Sequence, residues 1–252
     1  MEELSDFFLE LAHGDRLKAL SLIEKERLKL THISEKLNLS VQETSRHLSR
    51  LRDAKLIERN VDGFYYLTPF GRITLNLLTG YNFILKSRDY FQDHDPSCLP
   101  LEFIERIGEL EEYKPGEGVM QVLHLAVVVM EEAKEYVWIL TDQVMTPTIP
   151  MIKEGYAKGL KFRILLPEKL TLPSGFQLPK LAPASPVEIR WLEEVRVCIM
   201  MNEKLAGLCL PYTAGKIDFS TGFASREPRF HKWCRDLFLH YWERGKEDLI
   251  EK

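Results

Sequence analysis

Residues 31–67, THISEKLNLSVQETSRHLSRLRDAKLIERNVDGFYYL, constrain this chain most, because the hydrophobic period changes from helical to alternating within one short stretch. Thr31 is placed to cap a short helix with Ile33 and Leu37 four apart, and Asn38 tolerates the left-handed conformation that ends such a helix. Ser40-Val41-Gln42-Glu43 is a capping box, in which the serine oxygen accepts from the Glu43 N–H and the Glu43 carboxylate reaches back to the Ser40 N–H. Along the helix that follows, Val41, Thr44, Leu48 and Leu51 recur at spacings of three and four. They mark a buried face and turn Gln42, Ser45, Arg46, Ser49 and Arg50 toward solvent. Beyond Lys55 the pattern alternates through Ile57 and Arg59 and, past Asp62-Gly63, through Phe64 and Tyr66. Asp-Gly between two such runs predicts a hairpin whose two central turn residues take positive φ. Thr68-Pro69 then opens another helix, with threonine as cap and proline at its first position, running through Leu77 and Leu78.

Two short helices, a turn and a small hairpin have the layout of a winged helix-turn-helix. The expected fold is therefore α+β overall, an N-terminal winged helix-turn-helix followed by a C-terminal α/β domain with a mixed sheet. DNA binding is the leading expectation, since arginine can donate a bidentate pair to guanine, glutamine can pair with adenine, and serine can bond to a base or a phosphate. The expected DNA contacts are Ser40, Gln42, Thr44, Ser45, Arg46, Ser49, Arg50 and Arg59. The wing tip has no cluster of lysine or arginine, so Arg59 at its base is the better phosphate candidate. The competing reading is a winged helix that serves only as a protein scaffold.

Length and charge divide the chain further. At 252 residues and 45% hydrophobic content it can fill two cores. The net charge of −4 is uneven: through Gln92 there are 14 Lys+Arg against 13 Asp+Glu, and the remainder carries 20 against 25. Phosphate binding needs a local basic surface, and Arg46, Arg50, Arg52, Lys55 and Arg59 supply one within fourteen residues. So thin a patch favours two half-sites bound together, hence a homodimer. MEELSDFF lacks the basic and apolar segments of a leader, and no apolar run is long enough for a bilayer, so a cytoplasmic protein without membrane contact is expected.

Cys98, Cys198, Cys209 and Cys234 lie far apart and show no zinc-ligand spacing. If Glu203-Lys204 is a two-residue turn, Cys198 faces Cys209 across a hairpin. Two small buried side chains are the favoured reading of that pair over a redox switch.

Residues 92–100, QDHDPSCLP, carry a boundary signal in two prolines and two aspartates. The expected organisation is a winged helix over 1–92, a linker and connecting helix over 93–117, and an α/β effector-sensing and dimerisation domain over 118–252. In this last part, helical stripes over 118–134 and 148–158 alternate with apolar strands at 136–140, 162–166 and 187–191, which predicts a largely parallel sheet. An antiparallel hairpin at 195–210 and an amphipathic helix at about 228–244 follow.

LAHGDRLKALSLI at 11–23 and TSRHLSRLRDAKLIER at 44–59 resemble the ArsR-type winged helix of prokaryotic transcription regulators. That class often carries a metal site of cysteine or histidine in its helices; here no cysteine precedes Cys98, and neither metal nor cofactor is expected. GKIDFSTGFASREPRFHKWCRDLFLHYWER at 215–244 resembles the regulator domain of archaeal methanogenesis regulators of the FilR type, through Gly215, Asp218, Trp233, Leu237, Phe238 and Tyr241. That resemblance implies an archaeal transcription regulator whose second domain is a sensor, distantly similar to the effector domain of TrmB sugar regulators and to the phospholipase D half-fold.

Phospholipase D chemistry needs His-x-Lys-x4-Asp, whereas His231-Lys232 is adjacent and falls on a helix, so no catalytic residue is expected. A phosphodiesterase stands as the enzymatic alternative to a regulator. His124 lies on a strongly apolar helix and reads as a core or interface histidine. In open α/β sheets ligands bind outside the carboxyl ends of strands, which points to Asp142, Gln143, Trp191 and Tyr212 for an unknown small-molecule effector.

Overall fold

The computed structural model describes residues 1–170 and 186–247, apart from the side chain of Pro147. The chain divides into two compact units, Met1–Tyr81 and Asn82–Lys252. The range 118–252 expected for a second domain takes in residues 171–185 and 248–252, which lie outside the described residues.

The first unit holds α1 (Glu2–Leu11), α2 (Gly14–Lys25), β1 (Leu28–Lys29), α3 (Leu30–Leu37), α4 (Val41–Asp53), β2 (Ile57–Arg59), β3 (Phe64–Leu67) and most of α5 (Pro69–Lys86). Both halves of the Ser40–Glu43 capping box are present, and Leu48 and Leu51 on α4 are fully buried. They pack with Leu20, Ile33, Leu56 and Ile57 in one core. Asn38 ends α3 in the left-handed region at φ 54°. Thr31 is not the cap: α3 begins two residues earlier than such a cap implies, at Leu30, with Lys29 in the cap position and no side-chain cap bond. The reason is β1, a two-residue strand whose extended backbone turns straight into the helix. Thr31 sits in the first turn, where its carbonyl accepts the Ser34 hydroxyl at 2.7 Å.

The wing is a three-stranded antiparallel sheet in the order β1-β3-β2. Its tip differs from the expected turn, since Gly63 at φ 87° has positive φ and Asp62 does not. The Gly63 N–H donates to the Asn60 carbonyl at 3.1 Å, and the Phe64 N–H donates to Asn60 Oδ1 at 2.8 Å. A turn followed by a left-handed glycine bulge needs only one residue at positive φ. Thr68 caps α5 as predicted: its Oγ1 accepts the Gly71 N–H at 2.9 Å and donates to the Lys55 carbonyl at 2.6 Å. Gly71 is required there, because a Cβ would lie 2.0 Å from the Leu56 carbonyl oxygen.

The second unit contains α6 (Tyr90–Asp93), α7 (Leu101–Glu105), β4 (Lys114–Glu117), α8 (Val119–Glu132), β5 (Tyr136–Leu140), α9 (Ile149–Ala157), β6 (Lys161–Pro167), β7 (Val187–Leu192), β8 (Cys198–Met201), β9 (Ala206–Cys209), β10 (Thr221–Ser225) and α10 (Pro228–Trp242). Among the described residues, seven strands form one mixed sheet in the order β4-β10-β9-β8-β5-β6-β7. Strands β5, β6 and β7 pair in parallel and the remainder antiparallel. The period-two rule sorts the two faces. Val137 and Ile139 of β5 and Phe162 and Ile164 of β6 pack with Ala126 and Val129 of α8. Leu140 and Leu165 face the opposite core with Phe230, Trp233 and Phe238 of α10. Phe162, Phe230 and Phe238 are fully buried, and burying such a side chain stabilises by roughly 1.5–3 kcal/mol.

The hairpin has the expected register, with Asn202 N–H donating to the Leu205 carbonyl at 3.0 Å and Cys198 opposite Cys209. Both thiols are free and buried. Burial pushes the Cys209 thiol up to about 12 and the Cys198 thiol up as well, so neither is a ready thiolate. Residues 93–117 do more than link. Phe103, Ile107 and Leu110 are buried in the α10 core, and the Trp233 indole N–H donates to the Phe103 carbonyl at 3.1 Å.

Candidate nucleic-acid interface

The capping box starts α4 at a defined residue, and the burial of Leu48 and Leu51 sets its rotation. Gln42, Ser45, Arg46, Ser49 and Arg50 are all exposed as a result. Ser40 is exposed too, but its hydroxyl is occupied at the helix start, donating to Glu43 Oε2 at 2.6 Å and accepting the Glu43 N–H at 3.2 Å. Thr44 departs from expectation. It is fully buried and its hydroxyl donates to the Ser40 carbonyl at 3.0 Å, because it lies on the same face as Leu48 and Leu51. A side chain so placed cannot reach a base edge, and Thr44 leaves the set of contacts.

The arginines differ in what holds them. Arg46 has no side-chain hydrogen bond or ion pair among the described residues and projects freely. Arg50 donates twice to the Glu10 carboxylate, at 2.8 Å from Nε and 2.5 Å from an Nη. The bond from Arg50 holds the Glu10 carboxyl below its usual range. Glu10 is presented there by Arg16, which is buried and donates to the Glu10 and Leu9 carbonyls at 2.5 and 2.6 Å, satisfying the open carbonyl end of α1. Arg59 lies over the Tyr65 ring at 5.7 Å.

Two basic residues of the wing escape a local reading of the sequence. Lys29 stands 4.8 Å over Phe64 and Arg27 stands 5.7 Å over Tyr66, both exposed. Strand β1 carries them to β3 from more than thirty positions away, so no charge cluster appears in the hairpin itself. The wing surface thus carries Arg27, Lys29 and Arg59.

Beside α4, the side chains of His13, Asp15 and His47 converge, with their potential ligand atoms all within 4.8 Å of one another. Burial, followed by the neighbouring His13 and Arg16, lowers the proton affinity of the half-buried His47 ring. Its neutral form is thereby favoured.

The four residues expected around an effector have different surroundings among the described residues. Trp191 is buried in the core between the sheet and α8, with Phe162 and Met200. Tyr212 stacks on His94 with ring centroids 4.8 Å apart and shares a hydrogen bond with Ser220 at 3.1 Å. Asp142 and Gln143 follow β5; Gln143 is exposed, and the buried Oδ1 of Asp142 has no hydrogen-bond partner among the described residues. Burial raises the proton affinity of Asp142. A cleft of about 1180 Å³ lies elsewhere in the second unit, lined by Gln121, His124 and Leu125 of α8, Lys114 of β4, and Arg226 and Glu227. His124 borders this cleft, a setting that its apolar helix did not suggest.

Residues 17–86 match the family described as winged helix-turn-helix, from α2 to the end of α5. The N-terminal region is a winged helix-turn-helix domain. No curated protein matches the chain. Among solved structures, the chain is similar to TrmBL2, an archaeal chromatin protein with a novel mode of DNA binding, at 14% identity over 94% of each chain and a TM-score of 0.41. It is also similar to IdeR of T. acidophilum, at 15% identity over 86% of this chain and 99% of that one, with a TM-score of 0.25.

Proposed function

We propose that this protein is a transcription regulator that binds double-stranded DNA as a homodimer and responds to a small molecule through its second unit. The observation that carries the reading is α4: a helix rotated by its own core so that Gln42, Ser45, Arg46 and Ser49 all face solvent, within a matched winged helix-turn-helix domain. Such side chains can read base edges in the major groove, while Arg27, Lys29 and Arg59 on the wing supply phosphate contacts.

A second copy of the chain is the partner. Phe70, Ile73, Leu77 and Tyr81 of α5 are 47–65% exposed and recur at spacings of three and four. An apolar stripe of this kind is the pattern two helices bury against each other. The second unit acts as sensor, and the polar-rimmed cleft beside α8 is the better place for an effector than the strand ends. Its role is regulatory, with no catalysis: the His231 ring is engaged with the Asn202 carbonyl at 2.7 Å, where it supports the β8–β9 turn. No helix among the described residues is long and apolar enough to cross a membrane, and the site of action is the cytoplasm.

Retention of the protein's own upstream DNA tests the reading. Binding should fall steeply with salt, and Arg46→Ala should weaken it about tenfold, the loss of one good base contact, without changing thermal stability. Salt-independent retention, or unchanged affinity in Arg46→Ala, would point instead to a protein scaffold.

A further inference from the structure

We infer that His13, Asp15 and His47 form a binding site for one divalent transition-metal ion, zinc foremost, and that the bound ion tightens the grip of α4 on DNA. The site itself stands without the DNA reading; the coupling rests on it.

Two imidazoles and one carboxylate are a donor set that suits zinc and its neighbours, with water in the fourth position. All-oxygen ions such as Mg²⁺ and Ca²⁺ are poorly served by imidazole. Around a tetrahedral ion with bonds of about 2.0–2.1 Å, ligand atoms sit about 3.4 Å apart. The three groups here span no more than 4.8 Å, so side-chain rotation of about an ångström closes the site. The rings of His13 and His47 already lie 4.4 Å apart.

Each group is also available. His13 occupies the cap position of α2, and its Nδ1 accepts only a long 3.3 Å bond from the Asp15 N–H, which an ion readily replaces. Asp15 binds Lys18 through Oδ1 at 3.1 Å and turns Oδ2 toward His13, at 3.9 Å from its Nδ1. His47 is half-buried and, among the described residues, its ring has no hydrogen bond or ion pair to give up.

The consequence follows from the helix wheel. At 100° per residue, Glu43, His47 and Arg50 form one flank of α4. The ion would pin this flank to the first turn of α2, on the same side that Glu10 reaches from α1. It would also add positive charge one turn from both Glu43 and Arg50.

Cobalt(II) chloride titrated into the full-length protein, followed by visible absorption and by metal analysis after dialysis, tests the site without DNA. One Co²⁺ per chain with the bands of a four-coordinate ion, displaced by Zn²⁺ but not by Mg²⁺, is the expected result. His13→Ser keeps a good helix cap and removes the imidazole; together with His47→Gln it should lower metal affinity at least 100-fold. Because His13 is exposed, the serine variant alone suffices if the His47 change disturbs folding. No bound Co²⁺ at 1 mM, or undiminished binding in His13→Ser, would overturn the site. DNA affinity with Zn²⁺ should exceed that with EDTA at least threefold in the parent protein and not in His13→Ser. Equal affinities with metal bound would overturn the coupling alone, and absent DNA binding with metal bound would count against the regulator reading, not against the site.

Discussion

Glu10→Gln is the most searching perturbation of the DNA-reading surface. In the structure Arg50 gives two hydrogen bonds to Glu10, so a side chain positioned for DNA is neutralised within its own unit. Glutamine keeps the shape of Glu10 and removes its charge. Arg50 is then free to neutralise a phosphate, which adds about 0.9 to the slope of log affinity against log salt for each copy bound. For a dimer the slope steepens by about 1.8. Between 50 and 200 mM salt the variant should therefore lose a further factor of about 3.5 per copy, or about twelvefold for the pair, compared with the parent. At the low-salt end it should bind more tightly.

Fluorescence anisotropy with a labelled duplex from the upstream region, repeated across that salt range, reads the slope directly. Arg50→Ala supplies the control, since the Glu10 change should have no effect on the slope in its presence. A Glu10→Gln slope equal to that of the parent would refute the idea that Glu10 withholds Arg50 from DNA. A steeper slope that persists in the double variant would show general charge repulsion by Glu10 instead.

Three further outcomes test the frame around this surface. Gly71→Ala should destabilise the first unit by about 2–4 kcal/mol in denaturant titration, because the added carbon meets the Leu56 carbonyl and moving α5 away weakens the Thr68 cap; a loss below about 0.5 kcal/mol would mean that α5 shifts freely. Asp142→Asn should raise the melting temperature at neutral pH, where the raised-pKa carboxyl must be held charged, and the gain should shrink as pH falls through that pKa. Asp218 has the opposite sign. Burial raises its proton affinity, but bonds from Ser220 and Thr221 outweigh this and hold the carboxyl well below its usual range. Its stabilisation is complete above the unfolded value near 3.9 and is lost as pH falls below that toward the folded value, so Asp218→Asn should flatten the acid side of the stability profile.

Elements whose cause is local were legible in the sequence. The Ser40 box, the Asn38 stop, the Thr68-Pro69 start and the Cys198 to Cys209 register each follow from a few adjacent residues. Elements created by distant pairing were not. Strand β1 is two residues long and exists because Leu28 and Lys29 pair with β3; its presence displaced the expected Thr31 cap and brought Arg27 and Lys29 to the wing. Strand β4, Lys114–Glu117, contains a proline and a glycine and reads as a turn until β10 pairs with it. The Arg50 partner lies forty positions away on α1, and the imidazole pair joins two helices. Thr44 shows a different limit, a polar side chain at a packed position, where the three-and-four spacing outweighs its chemistry. The strand-end rule could not foresee the burial of Trp191, because both faces of this sheet are covered and its side chain points into the core with α8.

The pairing of β4 with β10 also sets an order of events during synthesis. Every contact within Met1–Tyr81 can form once those residues have emerged, whereas Lys114 must wait for Ala224 before the sheet has its outer strand. A nascent chain that has exposed Cys209 but not yet Thr221 would carry a complete first unit and, in its second, an open row of backbone donors and acceptors on β9. In a cell, that interval is when the chain is most exposed to mispairing, and it is over only when Thr221–Ser225 have emerged and paired.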